Sequence, residues 1–247
     1  MGLPLGLAPV AFAVAAAAVV KGAIGFGFPT IATPLVALVV DVKTAVVILI
    51  VPNMVMDAVQ AVRQGEIPAT VRRYAVLLLF GALGTYVGTR LLVVLSVRTA
   101  TLVLGTVVLS AVALNATRWS PRVPPGWTRW LDPILGTGAG ILGGLTNVPG
   151  TPLVIYFLAL GLAKQEFVRA VAVTFMLFKL LQLGTVVWFG LLTPRLLGLS
   201  LLLTVIALGG FYAGLAIQER LDQKTFNAVT LVFLGVLGAW LVLRGLG

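Results

Sequence analysis

The sequence contains no cysteine and no histidine. Their absence excludes disulfides and thiolate chemistry. It also excludes zinc or haem held by Cys or His, and a histidine general base, so we expect no cofactor and no metal. Charged residues are scarce as well, at 10% of the chain against about 25% in soluble domains. A water-soluble protein of this length needs more polar side chains than that to cover its surface.

Apolar residues are what the chain has in quantity. Of its 247 residues 60% are hydrophobic, and the mean hydropathy is +1.13. This composition indicates an all-α polytopic membrane protein whose surroundings are a lipid bilayer. The N-terminal residues 1–22 hold an apolar run typical of a signal peptide but lack its positively charged start. We therefore expect them to form the first membrane segment of the mature protein.

Basic residues outnumber acidic ones, 17 to 7, which gives a net charge of +10. In a soluble protein this excess would suggest nucleic-acid binding. Here the basic residues are scattered over short loops, which is typical of the cytoplasmic loops that orient a membrane protein. We expect no nucleic-acid partner, and an anionic substrate is a second, compatible reason for the charge. The composition leaves a monomer and a homodimer equally open.

Ten hydrophobic pieces are visible when about 20 apolar residues count as a crossing and 10–14 as a partial or re-entrant segment. They are residues 5–21, 29–40, 44–63, 72–94 and 98–115 in the first half, and 131–146, 151–162, 166–189, 196–217 and 225–244 in the second. A segment rich in Pro, Trp and Arg, 118–129, separates the halves. The predicted organisation is a first transmembrane repeat at 1–116, a cytoplasmic linker at 117–130 and a second transmembrane repeat at 131–247.

The two halves share an ordered series of residues at an offset of 126 positions. The series is Gly84, Tyr86, Gly88, Leu95, Arg98 and Thr99 in the first half, and Gly210, Tyr212, Gly214, Leu221, Lys224 and Thr225 in the second. The sequence TPLV also occurs twice, at 33–36 and 151–154. Leucine-rich helices resemble one another by chance, but an ordered Gly-Tyr-Gly-Leu-basic-Thr series favours an internal duplication.

The distribution of basic residues indicates how the two copies are oriented. If the first two pieces of each half begin and end on one side, ten Lys and Arg residues lie in cytoplasmic loops and five outside. If that pair makes a single crossing, the ratio falls to eight against seven. The positive-inside rule thus favours two inverted repeats of about five segments each, with the N-terminus outside.

Each half interrupts its apolar run with Gly and Pro, at GAIGFGFPT (22–30) and GAGILGGLTNVPGTP (138–152). A helix break in hydrocarbon leaves backbone groups without partners, so it persists only where protein or a wet cavity surrounds it. The short helices that follow present free N–H groups to an anion. Helix packing by small residues is the alternative. Paired breaks are the usual sequence sign of a transporter's central site, and we place there Gly25, Gly27, Pro29, Thr30, Thr146, Asn147, Gly150 and Thr151.

Polar residues within the long segments add to this predicted site. Lys179 lies near the centre of its segment, where an unpaired charge is costly. The 126 offset makes Asn53 its near-equivalent, with Asp57 one turn beyond Asn53 and Gln182 three residues beyond Lys179. Lys179 either binds the anion or forms a structural ion pair with Asp57, and a pair can open when substrate arrives. Lys21 either extends from a helix end to the interface, which we favour, or faces the site.

The residues around the two breaks resemble the sulfite exporter TauE/SafE family of membrane permeases. The resemblance is carried by Lys21-Gly-x-x-Gly25-Phe26-Gly27 and by the segment 143–153, GGLTNVPGTPL, followed by YFLALG at 156–161. It extends over nearly the whole chain. The first motif departs from the family's frequent Gly-Phe-Gly-Gly-Gly form, because Phe28 and Pro29 follow Gly27. The resemblance implies transport of small anions, chiefly sulfite or organosulfonates, across a prokaryotic cytoplasmic membrane, with export in many members.

The sequence thus predicts a secondary transporter, an exporter of a small anion, that works by alternating access around a site between the two repeats. An anion channel is the alternative, since broken helices meeting at the midplane suit it equally. An intramembrane enzyme is disfavoured because the chain has a poor catalytic inventory. The chain has no Walker motif, which excludes ATP hydrolysis by this chain.

Overall fold

The computed structural model describes residues 3–116, 122–124, 126–217, 239, 242–243 and 245–246; the side chains at 3–6, 115–116, 150–151 and 217 lie outside the description. Within these residues the regular structure is entirely helical. Six of the helices are long and apolar enough to cross a bilayer. The predicted all-α membrane class is therefore confirmed.

Ten helices are described. They are α1 (Leu3–Ile24), α2 (Phe28–Val36), α3 (Val42–Gln64), α4 (Ile67–Arg73), α5 (Ala75–Val94), α6 (Val97–Ala116), α7 (Thr128–Thr146), α8 (Gly150–Ala159), α9 (Lys164–Trp188) and α10 (Pro194–Ile217). Nine of the ten predicted pieces correspond to helices, and the tenth, 225–244, lies almost wholly outside the described residues. The short helix α4 was not predicted, because seven residues with two arginines give no membrane signal.

Local sequence sets the ends of the helices near the site. The Asp41 side chain accepts a hydrogen bond from the Thr44 backbone N–H, which caps the start of α3. Gly65, with φ of 68°, ends α3 in a conformation that glycine adopts without strain. Pro29 lies in the first turn of α2, where the missing N–H costs nothing.

The interruption predicted in each half is present but narrower than its Gly-rich stretch. Within the first Gly-rich stretch, 22–30, only Gly25–Gly27 are non-helical, and both glycines have positive φ, 96° and 97°. In the second half the gap is Asn147–Pro149, and Asn147 has φ of 66°. The flanking glycines are helical instead. Each break is therefore a tight turn between a long helix and a short one.

Helical glycines bring two pairs of helices into close contact. A Cβ atom at Gly88 would lie 2.1 Å from the Ile141 carbonyl oxygen, so α5 and α7 pack backbone to backbone. A Cβ atom at Gly214 would likewise lie 2.1 Å from the Val19 carbonyl oxygen, which places α10 against α1. The first long helix of each half therefore packs against a helix of the other half.

The helices α3 and α9 pack against each other at the centre and run antiparallel. Arg169, near the start of α9, forms an ion pair with Glu66, which follows the end of α3. At the other end, Val47 of α3 clusters with Val186 of α9. The short helices α2 and α8 pack beside these long ones. Both helix breaks thus lie against the central α3–α9 pair.

Candidate functional site

Lys21, in the last turn of α1, lies in a fully buried polar cluster with two residues of α3. Its Nζ forms an ion pair with Asp57 and donates a hydrogen bond to the Asn53 Oδ1 at 3.1 Å. All three side chains are at most 1% exposed. Because a buried lysine is costly without partners, this ion pair fixes the end of α1 to the middle of α3.

Lys179 of α9 forms a second buried cluster, at the other helix break. Its Nζ donates to the Asn147 Oδ1 and to the Gln182 Oε1, both at 2.5 Å. The Asn147 amide also donates to the Val46 carbonyl at 2.8 Å, and therefore ties the break to α3. Among the described residues Lys179 has amide partners but no carboxylate partner.

Each cluster pairs a lysine with an asparagine, but the helices that carry the two residues are exchanged between the halves. In the first half the lysine belongs to the breaking helix and the asparagine to the long helix; in the second half the order is reversed. The Lys21–Asn53 and Asn147–Lys179 pairs are both 32 positions apart. Lys179 also lies within electrostatic range of Asp57 and Lys21. The clusters therefore belong to one electrostatic unit with two lysines and one aspartate.

Two glutamines hold the breaks in matching ways. The Gln60 amide donates to the Gly25 carbonyl at 2.7 Å. The Gln182 amide donates to the carbonyls of Gly143 and Gly144 at 3.2 and 3.0 Å. The Gly25 carbonyl directly follows the end of α1. The Gly143 and Gly144 carbonyls lie in the last turn of α7, where the Gly143 carbonyl also accepts a hydrogen bond from the Asn147 N–H at 2.9 Å.

The structural register of the first three helices in each half differs from the offset of 126 read from the sequence. The ends of α1 and α7, the starts of α2 and α8, the starts of α3 and α9, and the two glutamines are all 122 positions apart. In this register the equivalent of Lys179 is Asp57, whereas the 126 offset made it Asn53. Opposite charges thus occupy corresponding positions. Between its glutamine and its Gly-Tyr-Gly series, the second half has four residues more than the first half, which accounts for the two offsets.

The expectation for Lys21 was wrong, and of the two alternatives for Lys179 the ion pair with Asp57 is not formed. Lys21 does not extend to the interface: it is 1% exposed and bound to Asp57. The ion pair considered for Lys179 and Asp57 is absent, because Lys21 occupies that position. The sequence did not reveal this because the partner depends on where the end of α1 lies relative to α3. The position of Lys21 four residues before a break was the available signal.

The other predicted site residues are distributed along the breaks. Gly25 and Gly27 form the first turn, and Pro29 is buried in α2. Thr30 is half-buried in α2. The Thr146 hydroxyl donates to the Leu142 carbonyl at 2.7 Å and accepts from the Val148 N–H at 3.2 Å. Gly150 begins α8, and the side chain of Thr151 lies outside the described residues.

Several buried polar atoms around the clusters have no partner among the described residues. They are Asn53 Nδ2, Asp57 Oδ2, Gln60 Oε1, Thr33 Oγ1 and Thr174 Oγ1. A buried polar atom left without a hydrogen bond is costly, and native proteins keep few of them. Gln60 and Thr174 were not among the predicted site residues. These atoms are donors and acceptors that a polar ligand in the interior could bind.

The site carries positive charge and two uncapped helix starts. In their ionised forms Lys21, Lys179 and Asp57 sum to one net positive charge. Neither α2 nor α8 receives a side-chain cap at its N-terminus, so their first N–H groups and positive dipole ends are left to other partners. Within the described residues no cluster of acidic side chains suits a metal ion. The arrangement is chemically suited to bind a small anion.

Comparison with known proteins shows the family to which the chain belongs. The family model for the sulfite exporter TauE/SafE matches residues 10–241. Neither curated proteins nor solved structures gave a match. The matched residues include both helix breaks, Lys21, Lys179, five of the six candidate membrane spans and the first span from residue 10 onward. The chain is thus a multi-pass membrane protein that belongs to the sulfite exporter TauE/SafE family.

Proposed function

We propose that the protein is a secondary transporter that exports a small anion, sulfite or an organosulfonate, across a prokaryotic cytoplasmic membrane. The observation that carries this proposal is the buried Lys179, which holds two amide oxygens and no described carboxylate at the break between α7 and α8. A charge so placed is unfavourable until an anion arrives. Family membership supports transport in preference to catalysis.

The substrate would bind between the two breaks, near the middle of α3 and α9. An oxyanion can accept hydrogen bonds from Lys179, from Lys21 if Asp57 releases it, and from the N-termini of α2 and α8. The asparagines and glutamines would then turn their amide groups toward the guest. Because the clusters are closed in this structure, we assign it to a state without open access to the site.

Alternating access would come from two inverted repeats that rock against each other. Three features support this: α3 and α9 run antiparallel, the two breaks have matching glutamine bonds, and the glycine contacts are reciprocal between halves. In the proposed orientation the N-terminus is outside. The end of α3 and the start of α9 then face the cytoplasm.

Flux measurements test the proposal and separate a carrier from a channel. The protein would be reconstituted in liposomes loaded with sulfite, and exchange would be followed with labelled sulfite. We expect saturable exchange that is accelerated by sulfite on the opposite side of the membrane. Unitary conductance steps in planar bilayers would instead establish a channel, and the lack of any sulfite or sulfonate flux would refute the proposal.

Asp57 offers a route to proton coupling, because its protonation would free Lys21 for the anion. Replacing Asp57 by Asn imposes the neutral form permanently. If Asp57 couples proton and anion movement, transport by Asp57→Asn loses the pH dependence of the wild type. An unchanged pH profile would remove Asp57 from coupling.

A further inference from the structure

A polar pocket lies between α4 and the start of α9, away from the central clusters. Its volume is about 330 Å³, and its lining includes Glu66, Thr70, Arg73, Tyr74, Glu166 and Arg169. Arg169 is ten residues before Lys179 on α9, which places the pocket about 15 Å from the central lysine along the helix. We call it the vestibule pocket.

Two ion pairs cross the vestibule pocket and join α4 to α9. Arg73 pairs with Glu166, and Arg169 pairs with Glu66 at 2.6 Å. The pairs are partly solvated, since the Arg73 and Glu66 side chains are 55% and 67% exposed. Exposed ion pairs contribute only about 0–1 kcal/mol, so a competing anion can replace either carboxylate at small cost.

Two residues that line the vestibule pocket each carry a buried polar group without a partner among the described residues. One is the hydroxyl of Tyr74, a residue that is 4% exposed. The other is the Nε of Arg169, whose terminal nitrogen is bound to Glu66. Both groups donate hydrogen bonds, and neither donor is needed by the ion pairs. A guest with three oxygens on one central atom could accept hydrogen bonds from both of these donors at once.

The surroundings of the vestibule pocket favour a negative guest. Arg63 and Lys164 are exposed around it, on the end of α3 and the start of α9. The nearby buried Asp132 already accepts a hydrogen bond from the Tyr156 hydroxyl. A local excess of basic residues raises the concentration of anions at such a mouth and speeds their capture.

We propose that the vestibule pocket is a second, peripheral binding site for the transported oxyanion, a sulfonate or sulfite group held by Arg73, Arg169 and the Tyr74 hydroxyl. Planar guanidinium groups match two oxygens of such an anion at once. The anion displaces the carboxylates of Glu66 and Glu166 and thereby separates α4 from α9. This inference rests on the proposed function, because it gives the transported anion a stopping place before the Lys179 site.

The absence of cysteine from the sequence allows a direct test. Ala69 lines the vestibule pocket and is exposed, so Ala69→Cys places a single thiol there. The rate at which a cationic thiol reagent modifies this cysteine is measured on the purified full chain, with and without ethanesulfonate. We expect ethanesulfonate to slow the reaction severalfold. A rate that ethanesulfonate does not change would overturn the proposal.

Substitutions then separate a binding site from a simple lock between helices. Arg73→Gln and Arg169→Gln should abolish protection, whereas the control Arg72→Gln, at an exposed arginine outside the pocket lining, should keep it. Glu166→Gln should lower the ethanesulfonate concentration for half-protection by about two- to fivefold, since the competing ion pair is lost. If Glu166→Gln weakened protection as the arginine variants do, the ion pairs would be only a lock and the proposal would be wrong.

One further variant distinguishes binding at the vestibule pocket from binding at the central Lys179 site. In Ala69→Cys combined with Lys179→Ala, protection should persist while sulfite exchange in liposomes is lost. Protection that disappeared with Lys179 would overturn the vestibule site, because the effect would then originate at the centre. Persistent protection without any sulfite flux by the wild type would overturn the proposed transport function and leave the peripheral site intact.

Discussion

Lys21 and Lys179 differ in what neutralises them, although both are buried. Lys21 has the Asp57 carboxylate, and Lys179 has only amide oxygens among the described residues. A buried ion pair broken on one side leaves an uncompensated charge and is strongly destabilising. We therefore propose a structural role for Lys21 in this state and the anion-binding role for Lys179.

Lys21→Met should lower protein stability, because Asp57 is left buried and without its cation. The expected loss is about 3–5 kcal/mol, seen as a lower melting temperature of the purified protein in detergent. The control Lys164→Met, at an exposed lysine, should leave the melting temperature unchanged. Lys21→Met combined with Asp57→Asn should recover part of the loss. A single variant as stable as the wild type would show that the pair contributes little.

Asn147 combines a backbone role with a side-chain role, and two substitutions separate them. Its φ of 66° costs a residue with a Cβ about 1–2 kcal/mol, and glycine nothing. Asn147→Gly and Asn147→Ala both remove the partner of Lys179, so both should change sulfite affinity equally. Only Asn147→Ala should show the additional drop in melting temperature. Equal melting temperatures would contradict the strain argument.

At the scale of elements, close packing depends on particular glycines. A Cβ atom at Gly140 would lie 2.2 Å from the Gly81 carbonyl oxygen, whereas one at Gly138 would meet nothing within 4 Å. Gly140→Ala should therefore force α5 and α7 apart and lower the melting temperature. Gly138→Ala, on the same helix, should be neutral or slightly stabilising. If the two variants melted together, close backbone contact would not hold this helix pair.

The helix breaks could be predicted from the sequence because Gly and Pro act locally. The exact extent of the breaks could not be predicted, since Gly143 and Gly144 are helical and their carbonyls accept hydrogen bonds from the Gln182 amide. The polar groups of the site were also recognisable, because Lys179 and Asp57 are costly in any apolar helix. Which lysine meets Asp57 depends on where the end of α1 lies relative to α3, and a linear pattern does not contain that information. The tenth predicted segment, 225–244, is almost wholly outside the described residues and stays a prediction.

For the molecule as a whole, the predicted orientation in the membrane, with the N-terminus outside, is checked by cysteine labelling. Arg63 at the end of α3 and Gln165 near the start of α9 are each replaced by cysteine on the predicted cytoplasmic side. Arg195→Cys lies at the start of α10, on the predicted outer side. A membrane-impermeant thiol reagent added to intact cells should label Arg195→Cys alone. Labelling of the other two instead would reverse the orientation.

The central claim is that Lys179, buried and without a carboxylate partner in the described part of the chain, binds the transported anion at a helix break. Equilibrium binding of sulfite to the purified protein in lipid nanodiscs tests it most directly, with Lys179→Ala compared with the wild type. We predict saturable binding by the wild type and none by Lys179→Ala, which should still insert and fold as judged by its helical circular dichroism and its elution in size-exclusion chromatography. Undiminished sulfite affinity in a folded Lys179→Ala protein would contradict the account.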